Sequence, residues 1–171
     1  MPDRDPISLP ISLPSYLRIE ARKSFHRLMK QVERTTEQEA SLFRTHDWPD
    51  HRHGIGQDGS IGGIVYHLAA WKQLTLPLFE PDSPPVSRQN FDPGLYPLVS
   101  AWPQLVDWLR SVGNAWLERL DRLNDLEFFD TREWEGVTIT LAEYVTEMHS
   151  HDIQHASQIE YLHQRIKMPV A

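Results

Sequence analysis

The chain contains no cysteine. That absence excludes disulfides, thiolate metal sites and a cysteine nucleophile, so any thiol chemistry must be borrowed from another molecule. It is compatible with a reducing compartment, and a cytoplasmic location is the expectation. Basic residues are in deficit: 17 Lys and Arg stand against 24 Asp and Glu, a formal charge of −7. The electrostatic footprint of a nucleic-acid or anionic-membrane binder is missing, so neither is expected as a partner. No window approaches ~18 uninterrupted apolar residues, and the opening MPDRDPISLPISLPS lacks the basic start and apolar core of a signal peptide. What is present is an ordinary globular composition over 171 residues, 40% hydrophobic and 24% charged, which suits one domain with a real core.

Prolines and apolar periodicity divide the chain. Pro2, Pro6, Pro10 and Pro14 argue for an extended arm over residues 1–14, followed by one domain over 15–171. Ser15 reads as the N-cap of a first helix from residue 16 to about 45, with Leu17, Phe25, Leu28, Met29 and Val32 at helical spacing. Residues 46–60, HDWPDHRHGIGQDGS, read as a loop. Gly54, Gly56 and Gly59 there match a dinucleotide-binding pattern, but no strand precedes them. His46, Asp47, Asp50, His51 and His53 lack a scaffold, so a solvated loop is the better reading than a metal site.

Ser60 caps a second predicted helix, residues 61–79, whose end Pro77 should distort. Residues 80–97 hold five prolines and predict a long crossover. A third helix is expected over 98–123, with Pro103 in its first turn. FFDTREWEGVTIT, residues 128–140, has the look of a small hairpin around Glu135-Gly136, and a fourth helix follows Ile139 or Thr140. The sum is an all-α fold: an antiparallel four-helix bundle with a long crossover between its second and third helices. Trp71, Trp102, Trp108, Trp116 and Trp134 are expected as core or interface packing.

The fourth helix carries the chemistry. Counted at about 100° per residue, Leu141, Tyr144, Val145, Met148, Ile159, Leu162 and Ile166 share one side, and His151 and His155 fall among them. His149 and His163 flank that stripe and are expected to reach solvent. Buried imidazoles one turn apart need a partner for each ring nitrogen, which a metal ion would supply. A zincin is rejected, because Asp152 stands where its glutamate belongs. A di-iron carboxylate site is rejected too, since Glu20 and Glu143 do not build the required set. His67, beside Ile64, Trp71 and Leu74 in projection, is a candidate third ligand; alone it is more commonly a core histidine bonded to a carbonyl.

Two stretches resemble the DinB-like superfamily of helical bundles, which includes bacterial thiol-dependent transferases. GSIGGIVYHLAAW, residues 59–71, is similar to its second-helix motif, and WEGVTITLAEYVTEMHSHDIQHASQIEYL, residues 134–162, to its closing segment. Ala156-Ser157 depart from the Arg-Gly or similar pair of many members. The resemblance implies a divalent metal ion, zinc, nickel, iron or manganese, held by His67, His151 and His155 with positions left open. It further implies an enzyme acting on a small-molecule substrate: a thiol-dependent S-transferase using a low-molecular-weight thiol cosubstrate, or a small-molecule hydrolase. Asp152 and Gln158 are the candidate supporting residues around the ligands. The alternative is a non-catalytic bundle that binds a small molecule or a protein. A homodimer is a further expectation, from the tryptophan-rich third helix.

Overall fold

The computed structural model describes residues 11–43, 59–92 and 101–167. The loop histidines and acids at 46–53, Gly54, Gly56 and most of the proline-rich arm lie outside them. Helix α1 spans Leu13–Glu33, with Ser12 rather than Ser15 as its N-cap and Pro14 inside the first turn. A proline is tolerated there because the N–H it lacks has no intrahelical acceptor. The helix also stops short of the expected residue 45. Thr36 accepts the Glu39 N–H while the Glu39 carboxylate accepts the Thr36 N–H, a capping box that starts the short α2, Glu37–Ala40.

Ser60 caps α3, Ile61–Thr75, by accepting the Gly63 N–H at 2.9 Å. The expected distortion at Pro77 is a 3-10 turn over Leu76–Phe79. Helix α4, Trp102–Arg122, has Pro103 in its first turn. Strands β1, Thr131–Trp134, and β2, Val137–Thr140, form the predicted hairpin. Its two turn residues both have positive φ, 51° at Glu135 and 79° at Gly136, as a tight two-residue turn of this hand requires. Val86 adds a bridge to this hairpin, its N–H donating to Glu133 O and its carbonyl accepting from Glu135 N. Thr140 then caps α5, Leu141–Ile166, through a second capping box with Glu143.

Helices α1, α3, α4 and α5 make the four-helix bundle, and the contacts between them fix their directions. Trp102 at the start of α4 donates to Thr35 O beyond the end of α1, while Arg18 near the start of α1 donates to Leu123 O past the end of α4. These two helices are antiparallel, as are α3 and α5, where His67 in the middle of α3 meets His151 and His155 while Phe79, just past its end, packs on Tyr144 in the first turn of α5. Arg34 donates to His163 at the far ends of α1 and α5, and Leu17 shares a cluster with Leu141 and Tyr144 at their near ends, so this pair runs the same way. Tyr66 packs on Trp108 and Arg119 donates to Leu76 O, making α3 and α4 parallel as well. The long crossover has its reason here: two consecutive helices that run alike require the chain to travel back along the bundle.

The apolar interior falls into two clusters. One holds Phe25, Leu28, Val65, Leu105 and Ile159; the other holds Leu17, Leu78, Leu120, Phe128, Tyr144 and Met148. Lys72 and Asp152 sit at the junction of the two, with the Lys72 ammonium over the rings of Phe25 and Trp116 at 5.3 and 5.2 Å. Among the described residues, no helix is long and apolar enough to cross a membrane.

Candidate metal centre

Three imidazoles converge between α3 and α5. The Nε2 atom of His151 lies 3.0 Å from Nε2 of His67 and 3.0 Å from Nε2 of His155. The spacing of α5 accounts for one pair, since residues four apart occupy neighbouring turns of one face. The antiparallel approach of α3 supplies the third ring. Ligand bonds of ~2.1 Å place nitrogens ~3.0 Å apart in an octahedral face and ~3.4 Å apart in a tetrahedron, so each of these two separations suits a pair of ligands on one ion, and all three ligand atoms lie within 4.8 Å of one another.

The protons do not suit the cluster without a cation. His155 Nδ1 donates to Gln158 Oε1 at 2.7 Å, which leaves its Nε2 as a bare lone pair when the ring is neutral. His151 Nε2 carries at most one hydrogen and can serve only one of its two neighbours. Its Nδ1 is enclosed with no hydrogen-bond partner among the described residues. Burial, followed by the neighbouring His155, His67 and Lys72, pushes the His151 pKa down to about 2. Burial lowers that of His155 too, against the opposing effect of Gln158. These two rings are neutral at physiological pH, the state in which imidazole binds metals.

The structure distributes the remaining sequence candidates differently. Gln158 accepts the hydrogen bond from His155 Nδ1. The Asp152 carboxylate pairs with Lys72, whose Nζ lies 2.9 Å from both oxygens. Burial pushes the Asp152 carboxyl above the usual range, and the Lys72 ammonium pulls it back. Lys72 was hidden in the sequence by its charge, although its helix shows no polar face on which an exposed lysine would sit. His163, expected at the surface, is buried because the turn after α1 covers it. Thr35 spends its hydroxyl hydrogen on Gln31 O, so His163 Nε2–H donates to Thr35 Oγ1 at 2.9 Å while Nδ1 accepts from Arg34.

A cavity of about 240 Å³ opens beside the cluster, walled by His67, His151, Trp71, Trp134 and Met148 and bordered by Arg88, Glu135 and Glu147. Trp102, Trp108 and Trp116 are buried packing residues as expected, but Trp71 and Trp134 are half-buried and form cavity walls. No periodicity argument separates these two roles. The tight turn at Glu135-Gly136 and the Val86 bridge bring Glu135 and Arg88 to the rim from segments far apart in sequence.

Fold and site together define a four-helix bundle with a histidine cluster open to a cavity. The chain belongs to the DinB superfamily, whose family model matches residues 20–159. Its structure is similar to YfiT from Bacillus subtilis, described as a probable metal-dependent hydrolase with an unusual four-helix bundle topology. The two are 16% identical with a TM-score of 0.67, over 97% of this chain and 94% of that one. That likeness carries the fold. No curated protein matches the chain.

Proposed function

We propose that this protein is a divalent-metal-dependent enzyme acting on a small molecule, with His67, His151 and His155 as the protein ligands. The observation that carries the reading is the meeting of three Nε2 atoms at the wall of an open cavity. A closed structural site has its coordination completed by protein, whereas here two of the three histidines also line the cavity. A divalent ion held there supplies Lewis acidity, making a small O–H or S–H nucleophile reactive at neutral pH. The chain's own contribution is orientation and exclusion. Gln158 fixes the His155 tautomer, the tryptophans and Met148 give one side of the cavity low polarity, and the α3–α5 contact sets the distance between ligands.

Water as the nucleophile makes the enzyme a hydrolase, the activity attributed to YfiT. A low-molecular-weight thiol makes it an S-transferase, and the cysteine-free sequence offers no side-chain thiol to compete for an open position. The test is metal content after purification without chelator, then reconstitution with zinc, nickel, iron and manganese. Near-stoichiometric binding that is lost in His67→Ala, His151→Ala and His155→Ala but kept in His149→Ala is the expected result. Equal retention in all four variants overturns the ligand set. The loaded protein is then assayed with ester and amide substrates, and with thiols plus electrophiles, to separate the two reactions.

A further inference from the structure

The cavity beside the histidines carries a charge pattern that metal binding does not use. At its rim Arg88 and Glu135 satisfy one another: Glu135 Oε1 accepts the Arg88 backbone N–H at 2.6 Å, and Oε2 lies 3.4 Å from the guanidinium Nε. Glu147 differs. It lines the same cavity from α5, one turn before His151, is exposed, and forms no ion pair among the described residues. The cavity therefore holds one uncompensated carboxylate. Its aromatic walls, Trp71 and Trp134, meet edge to face with centroids 6.5 Å apart and planes at 79°.

A carboxylate beside indole rings is chemistry for a cation: the ring faces attract positive charge, and the carboxylate supplies the counter-ion. We propose that the cavity binds its substrate through a positively charged nitrogen, an alkylammonium group held by Glu147 against Trp71 and Trp134. This rests on the reading of the three histidines as the metal-holding, reactive end. A divalent ion there repels a second cation, so the ammonium group takes the Glu147 side while an uncharged or anionic part of the molecule faces the histidines. The volume, about 240 Å³, accommodates a small alkylammonium group.

The experiment titrates the full-length protein, metal-free and metal-loaded, with n-butylammonium, n-butanol and n-butyrate, reading indole N–H shifts by NMR. The ammonium ion is expected to shift the Trp71 and Trp134 signals in both forms, at least tenfold more tightly than butanol. Glu147→Gln, at an exposed helical position, should erase that preference while leaving metal stoichiometry unchanged. Arg88→Ala removes the guanidinium beside Glu135 Oε2 while keeping the backbone N–H bond to Oε1, and should tighten ammonium binding several-fold. Preference for butyrate, or ammonium binding that Glu147→Gln leaves intact, overturns the proposal. Loss of metal binding with ammonium recognition intact would refute the metal reading alone, so the two failures are distinguishable.

Discussion

Lys72 and Asp152 form an ion pair across α3 and α5 that is closed from solvent, at 1% and 3% exposure. The pair follows His67 by five residues on one helix and His151 by one on the other, so it ties together the two elements that carry the histidines. Desolvating both charges costs much of what their attraction returns, and such a pair adds little net stability over an apolar replacement. Its removal by halves is another matter. Lys72→Met or Asp152→Leu alone is expected to cost ~3–5 kcal/mol, because each strands a buried charge. The double variant Lys72→Met/Asp152→Leu should recover most of that loss. Urea unfolding of the four proteins measures the coupling, and simply additive single costs would refute it.

Gln158 touches the proposed metal site through a single hydrogen bond, accepted from His155 Nδ1. Replacing it with Ala leaves all three imidazoles in place but releases the His155 ring and its tautomer. Metal affinity should fall by ~10–100-fold, the usual penalty for losing a residue that orients a ligand. Stoichiometry at saturating metal should stay the same. Competition titration against a chromophoric chelator checks both numbers, and an unchanged affinity means the His155 orientation is set by packing alone.

Much of the layout of the candidate site was legible in the sequence because it rests on periodicity. His151 and His155 fall on the apolar face of α5 by counting alone, and Pro77, Pro103 and Glu135-Gly136 marked real breaks. The helix directions were not legible. Parallel and antiparallel neighbours present the same apolar stripe, and only contacts such as Arg34 to His163 distinguish them. Burial of polar groups was hidden for a related reason: a lysine or histidine is assigned outward until a partner from another element is known. Lys72 finds Asp152, and His163 finds Thr35 and Arg34, each more than 75 residues away in sequence.

Acid should unfold the metal-free protein through its buried histidines. The His151 pKa lies at about 2 in the fold, and burial also lowers His155 and His163, against about 6.5 when unfolded. Below pH ~6.5 the unfolded chain takes up protons that the fold refuses, so stability is full above that value and declines as pH falls. Each such histidine contributes a slope of up to ~1.4 kcal/mol per pH unit, continuing for His151 toward pH 2. Urea midpoints measured from pH 8 to 5 in chelator should be level at first and then drop. In the His151→Leu variant the drop should be shallower; an unchanged slope excludes this histidine as a source.

Gly113 on α4 tests how closely α1 and α4 approach. A Cβ at this position would stand 2.0 Å from Cζ of Phe25, well inside contact distance, because the phenyl ring lies directly on the glycine. Two effects oppose each other in Gly113→Ala. Alanine is worth up to ~1 kcal/mol over glycine inside a helix, whereas overfilling a packed interior costs ~1–3 kcal/mol. Phe25 is buried and has the Lys72 ammonium over its ring at 5.3 Å, so its retreat also disturbs the polar layer. Overpacking should win, and thermal unfolding of Gly113→Ala is expected to show a net loss. Combining it with Phe25→Leu, which removes the obstructing ring, should make the alanine neutral or favourable relative to Phe25→Leu alone. If Gly113→Ala by itself raises the melting temperature, the glycine is not holding the two helices together.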